Sequence, residues 1–256
     1  MKKIALPVIL LLAISAPLTT AWSAEDILDL DEVTVNDPLE GYNRAMFGFN
    51  EALDENILKP VAEGYHDLFP DPVERGISNF FSNLHEPFNI LNNLLQFKLG
   101  DAASDTVRFG INTTIGIAGL FDVATAAGLT KHDEDLGQTL AVWGVGSGPY
   151  FVIPILGPST IRDAFGTGTE MWIGNTVEVD DTQIFKLTDE IDSEGTRNTL
   201  FVTKAISTRA DLLGTKEIID DASFDPYAFM RDSYLQKRED LIFDGNAPLP
   251  ELPEDF

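Results

Sequence analysis

Three histidines, His66, His85 and His132, are the side chains here best suited to acid–base or metal chemistry near neutral pH. Only His132-Asp133-Glu134-Asp135 gathers enough donors to hold a divalent ion. It has no second histidine nearby and no His-Glu-x-x-His spacing, and a solvated helix start capped by Asp133 competes with it. His85-Glu86 stands before Pro87 and reads as a helix end. Asp189, Glu190, Asp192 and Glu194 lack calcium-loop spacing and read as a solvated face. Ser147 lies directly between Gly146 and Gly148, so it is not the serine of a Gly-x-Ser-x-Gly elbow. That glycine-rich run also lacks the lysine of a phosphate loop. With no cysteine, thiol nucleophiles, thiolate metal sites and disulfides are all out. No enzyme, metal or cofactor is expected.

The charge balance narrows the partners. There are 17 Lys and Arg against 42 Asp and Glu, a net charge of −25. Nucleic acid is excluded, because phosphate backbones need a basic surface. Simple docking on anionic lipid is disfavoured for the same reason. Arg44, Arg75, Arg108, Arg162, Arg209 and Arg231 are scarce cations. Most are expected to pair with carboxylates between helices, leaving a minority for phosphate, which the guanidinium fork suits. An apolar fraction of 44% with 17 Phe argues against chain-wide disorder.

The elements that must position any site are mostly helical. Residues 1–23 have a basic start, an apolar run and small residues before Ala24, the pattern of a secretory signal peptide. Its removal leaves the chain two charges more negative, and residues 24–35 read as a flexible acidic leader. Asp37-Pro38-Leu39-Glu40 and Asp71-Pro72-Val73-Glu74 read as capping-box helix starts. Tyr42, Met46, Phe49, Leu53, Ile57 and Val61 form the first apolar stripe, and Val73, Ile77, Phe80, Phe81 and Leu84 the second. Pro87 is expected to end that helix and open another, with Ile90, Leu91, Leu94 and Leu95 inward. Further helices are expected over 101–115, with Val107 and Ile111 on one side, and near 159–175 and 197–213, the latter striped by Phe201, Ala205, Thr208 and Leu212. One more starts at Asp225-Pro226 and runs towards Gly245. The expected class is mainly α, one domain over residues 36–245, with a loose tail over 246–256.

One tract breaks this pattern. Residues 136–161 carry no charge, which is membrane length, yet include three prolines and five glycines. On helix propensity these cost about 14 kcal/mol, so a straight spanning helix is excluded. Two readings stay open. The tract is either a β-hairpin buried in a soluble core, or a mobile apolar hairpin at a lipid surface whose backbone is satisfied along a cavity. Trp143 and Tyr150 suit an interface, and Gly144, Gly146 and Gly148 a pliable hinge.

Several segments carry a resemblance. Asn36-Asp37-Pro38-Leu39-Glu40-Gly41-Tyr42-Asn43-Arg44, Ser78-Asn79-Phe80, Asn83-Leu84, Glu86-Pro87 and Asn112-Thr113-Thr114-Ile115-Gly116 resemble the MlaA (VacJ) family. So do Leu136-Gly137-Gln138-Thr139-Leu140, the run from Gly144 to Tyr150, Pro154, Gly157, Arg162-Asp163, Thr208-Arg209-Ala210-Asp211-Leu212-Leu213 and Asp225-Pro226-Tyr227 with Arg231. The resemblance implies a ring-like helical bundle in the inner leaflet of the outer membrane, around an amphipathic pore. It implies a partner porin trimer and removal of phospholipid that has strayed into the outer leaflet. The lipid would pass to a soluble periplasmic carrier, maintaining lipid asymmetry. It also implies that Gly144, Gly146 and Gly148 form a flexible hairpin base. Trp143, Tyr150, Phe151, Val152, Ile153, Ile155 and Leu156 become candidate lining or gating residues. Many members carry a lipobox cysteine, which these 256 residues lack, so membrane residence is expected to rest on apolar helix faces and porin contact. The alternative is a soluble periplasmic helical scaffold or binding module without a lipid path.

Overall fold

The computed structural model describes residues 37–176, 194–214 and 223–247, within one compact unit that starts at Asp37. The signal sequence, the acidic leader, Asp189, Glu190, Asp192 and residues 248–256 of the tail lie outside the described residues. The described chain is mainly α. Helix α1 (Glu40–Leu53) continues through one π-helical stretch (Asp54–Leu58) into α2 (Lys59–Leu68). Then follow α3 (Asp71–Leu95), α4 (Leu99–Thr114), the short α5 (Val123–Ala126) and α6 (Leu136–Val142). Strands β1 (Tyr150–Ile153) and β2 (Gly157–Thr160) form a hairpin, followed by α7 (Ile161–Thr176), α8 (Glu194–Asp211) and α9 (Pro226–Ile242). Helix α3 packs on α4, α6 on α7, and α2 on α8.

Burial runs opposite to the expected direction. On α1, Tyr42 and Phe49 of the apolar stripe are exposed while Asn43 is fully buried, and Ile57 and Val61 beyond them are exposed too. On α3, Leu84, Leu91 and Leu94 face outward and Asn83, Glu86, Asn89, Asn92 and Asn93 face inward. The inward placement expected for Leu91 and Leu94 is therefore corrected. On α4, Val107 is exposed while Asp105, Arg108 and Asn112 are buried. On α8, Phe201 is exposed and Ser207 is buried, and Leu212 just past its end is exposed. Most of the deeply buried positions on these helices are polar, although Phe81 of the second stripe is buried and Ile77 and Phe80 are half-buried. A buried polar group is tolerated only when bonded. Here Asn83 donates to Thr113 Oγ1 at 3.0 Å, Asn92 to Glu170 at 2.8 Å and Asn93 to Asp105 at 3.0 Å.

These bonds also account for a second correction. Pro87 does not end a helix; α3 runs 25 residues straight through it. An interior proline costs about 3 kcal/mol. Inner-face bonds on both sides of it, each contributing roughly 0.5–1.5 kcal/mol, offset a cost of that order, and Pro87 itself sits on the exposed face.

The two expected capping boxes are absent. Helix α1 begins only at Glu40, and Asp37, before it, accepts the Leu39 backbone amide at 3.1 Å, the Asn43 side-chain amide at 2.9 Å and the Tyr227 hydroxyl. Asp71 lies inside the first turn of α3, after Pro70. The third start holds: Asp225 accepts the amides of Tyr227 and Ala228 at 3.1 and 3.2 Å, with Pro226 opening α9. One close approach requires glycine. A Cβ on Gly166 would lie 2.6 Å from the Gly137 backbone nitrogen, so α6 and α7 touch backbone to backbone there.

Candidate functional site

The uncharged tract folds as a helix stop followed by a clamped hairpin. Helix α6 ends in a Schellman motif: Val145 N donates to Leu140 O at 2.9 Å and Gly144 N to Ala141 O at 2.8 Å, with Gly144 at φ +88°. The hairpin then pairs Tyr150 with Thr160 and Ile153 with Gly157. Its turn places Ile155 at φ +71°, an unfavourable region for a β-branched residue.

Two asparagines of α1 satisfy the outer edge of β1. Asn43 donates to Tyr150 O at 3.2 Å and accepts Val152 N at 2.9 Å. Asn50 donates to Ile153 O at 3.1 Å and accepts Ile155 N at 2.7 Å. The spacing fits because seven helical residues rise about 10.5 Å, while three strand residues span about 10 Å. Each carboxamide thus stands in for a strand partner, closing an edge that would otherwise be open. Sequence reasoning missed this pair; the only signal was two asparagines one heptad apart.

The hairpin splits the expected lining residues. Tyr150 and Val152 are buried against Met46, Phe47, Tyr227, Tyr234 and Leu235. Burial pushes the Tyr150 hydroxyl up to about 12. Phe151 and Ile153 are half-buried, and Ile155 and Leu156 are exposed at the turn. Trp143 is half-exposed and donates Nε1 to Leu95 O at 3.1 Å. A Cβ on Gly146 would meet nothing within 4 Å, while one on Gly148 would lie 3.1 Å from Ile161.

Behind the turn lies a cavity of about 610 Å³. Val152 and Ile155 reach its wall; the other eight expected residues do not. Phe47, Leu58, Leu212, Phe229 and Met230 are among its apolar lining residues. Asp54 and Arg209 also border it, joined by a fork of 2.6 and 3.0 Å that ties the π-helical stretch to α8. Sequence reasoning reached Arg209 as one of several scarce cations and as part of the run over residues 208–213 that carries the family resemblance.

Other arginines pair with carboxylates, Arg44 and Arg75 at the surface and Arg162 inside. Arg44 pairs with Asp225 at 2.7 Å, and Arg162 with Asp163 at 3.0 Å. Arg238, which sequence reasoning did not single out, forks onto Asp135 at 2.5 and 2.6 Å and reaches Asp163 at 3.1 Å. Burial raises the Asp135 and Asp163 carboxyls, but Arg238 pulls both below the ordinary range. The His132 segment is likewise built into the scaffold. His132 contacts Asp105 at 3.0 Å, Glu134 accepts Gln96 at 2.7 Å and Lys98 at 2.8 Å, and Asp135 rather than Asp133 caps α6. His85-Glu86 is mid-helix, not a helix end, with Glu86 against Arg108.

Asp122 offers a pH test of this scaffold. Burial pushes its carboxyl up, but Thr125, Asn112 and Arg108 outweigh that and bring it from 3.8 down to about 2. A lowered carboxyl contributes stability above its unfolded value and loses it as pH falls through the folded one. Asp122→Asn is therefore expected to be less stable than the parent above pH 3.8, with the gap closing towards about pH 2. Urea unfolding across that range checks it. Comparing the two proteins cancels Glu86, Asp105 and Glu170, whose burial shifts them upward and gives the opposite slope.

Together these features define a mainly α protein with a hydrogen-bonded polar interior, apolar outer faces and an apolar cavity behind a clamped hairpin. The model of the MlaA lipoprotein family matches residues 35–241, and the chain belongs to that family. An Escherichia coli K12 relative, the intermembrane phospholipid transport system lipoprotein MlaA, is 33% identical over 231 residues, 86% of this chain and 84% of that protein. An uncharacterised Rickettsia bellii protein is 36% identical over 205 residues, 80% of this chain and 76% of its own. A solved chain from work on the structural basis for maintenance of bacterial outer membrane lipid asymmetry matches with TM-score 0.67 and 34% identity. It covers 81% of this chain and 100% of its own.

Proposed function

We propose that this chain is an outer-membrane component of intermembrane phospholipid transport, seated on the periplasmic side. It removes phospholipid mislocalised to the outer leaflet and passes it to a periplasmic carrier, with a porin trimer as its membrane partner. The observation that carries this reading is the inverted burial. Among the described residues the fully buried large side chains include Arg108, Glu86, Asn43, Asn89, Asn92 and Asn93, while Phe49, Leu91, Leu94, Phe165 and Trp172 face outward. Water penalises such an exterior, whereas acyl chains or an apolar partner surface accept it. No described helix is long and apolar enough to cross a membrane, so this reading places the helices in one leaflet.

The role in transport needs no catalytic residue. Exposing an acyl CH₂ to water costs about 0.8 kcal/mol, so lipid leaves a bilayer slowly unless an apolar path shields its tails. The cavity behind Ile155 supplies a shielded wall, and Gly146, which no neighbour crowds, gives the hairpin base room to move. A second reading, a closed periplasmic scaffold, draws on the burial of Tyr150 and Val152. Fractionation with lipid analysis separates the two. The transport reading expects the protein in outer membranes, soluble only with detergent and carrying phospholipid. Recovery by osmotic shock without lipid would establish the scaffold.

A further inference from the structure

A second cavity, of about 310 Å³, has a different lining. It is bordered by Ser78, Ser82, Ser207 and Thr208, by Lys131 and Lys204, and by His85, with Phe81 at its base. Hydroxyls and ammonium groups are donors to oxyanions, and few cations exist to be spent here: the whole chain has 17. Two facing carboxylates are accounted for. Asp133, also on the rim, pairs with Lys131, and Asp211 accepts the Ser78 hydroxyl at 3.2 Å. Lys204 makes no ion pair with any described residue. Burial lowers the His85 imidazole, and the charges of Lys204 and Lys131 lower it further against Asn89 and Asp133, which raise it.

We propose that this polar cavity between α3 and α8 is a binding site for a phosphate group. The ammonium of Lys204 supplies the charge, and Ser82 and Thr208 supply neutral donors. Helix α8 borders both cavities, with Lys204, Ser207 and Thr208 on the polar one and Arg209, followed by Leu212 just past its end, on the apolar one. That juxtaposition suits an amphiphile, polar head on one side and tails on the other. The source of the phosphate as a lipid headgroup rests on the transport reading above; the site itself does not.

The test uses the full chain in detergent with four probes: inorganic phosphate, glycerol 3-phosphate, phosphatidylglycerol and diacylglycerol. Phosphorus NMR line broadening follows the first three, and native mass spectrometry the two lipids. Wild type is expected to bind phosphate-bearing probes. Lys204→Gln and the Lys131→Gln/Lys204→Gln double variant should bind them about tenfold more weakly, while Lys204→Arg keeps binding. Diacylglycerol binding should be equal in all four proteins, which also reports that each is folded. Equal phosphate binding in the glutamine variants and wild type overturns the proposal and leaves the transport reading intact. Loss that Lys204→Arg fails to restore also overturns it. Binding of the soluble phosphates with neither lipid bound supports the site but overturns the transport reading.

Discussion

Arg108→Met is expected to lower stability by about 3–5 kcal/mol, a large share of what holds a domain of this size folded. Arg108 is almost wholly buried. It lies 3.5 Å from Glu86, donates to Leu129 O at 2.5 Å and Thr125 Oγ1 at 3.1 Å, and reaches Asp122 at 3.3 Å. Removing it leaves Glu86, itself buried and among the described residues otherwise bonded by Asn89 at 2.6 Å, as an uncompensated charge. Burial already raises the Glu86 carboxyl, so the variant should recover stability as pH falls and Glu86 takes up a proton. The double variant Arg108→Met/Glu86→Leu should regain part of the loss at neutral pH, because an apolar pair replaces the ionic one. Urea unfolding of the three proteins measures this. A single variant within about 0.5 kcal/mol of wild type would mean that the polar interior is not what stabilises the fold.

Ile155→Asp is expected to abolish transport while leaving the protein folded. Ile155 is exposed, at φ +71°, and reaches the wall of the 610 Å³ cavity. Aspartate tolerates the left-handed region better than a β-branched residue, and its amide can still donate to Asn50. The fold therefore loses little. The cavity, however, gains a carboxylate where acyl chain would pass, an unfavourable term of about 3 kcal/mol, or roughly a hundredfold in occupancy. Ile155→Leu serves as the apolar control. Outer-leaflet phospholipid, assayed by lipid-A palmitoylation or by sensitivity to detergent and chelator, should rise to the level of a deletion strain in the aspartate variant only. Wild-type lipid asymmetry with Ile155→Asp would remove this cavity from the lipid path.

The sequence announced the helices and misjudged what they face. The α9 start was legible because Asp225 and Pro226 satisfy and pre-set the first turn locally. The Asp37 start was legible only in part: Asp37 accepts the nearby Leu39 amide, but the helix opens at Glu40 and Asp37 also serves Asn43 and Tyr227, 190 residues away. Pro87 was taken as a stop because propensity counts only neighbours, and the bonds that carry α3 through it come from Thr113, Asp105 and Glu170. The hairpin was visible as part of an uncharged run that could not be one continuous helix. Its clamp was invisible, since Asn43 and Asn50 meet β1 across more than 100 residues.

Period, charge and breaker content are properties of the chain alone, and they determined that this protein is helical, acidic and interrupted once by an apolar hairpin. Which face of each helix points inward was decided only in the tertiary structure. A stripe records that two faces differ; it carries no record of the medium each will meet. Where the interior is filled by paired carboxamides, carboxylates and guanidinium groups, the apolar face is the one left outside, and only the assembled bonds of Asn43, Asn93, Arg108 and Arg238 reveal that the rule has been reversed.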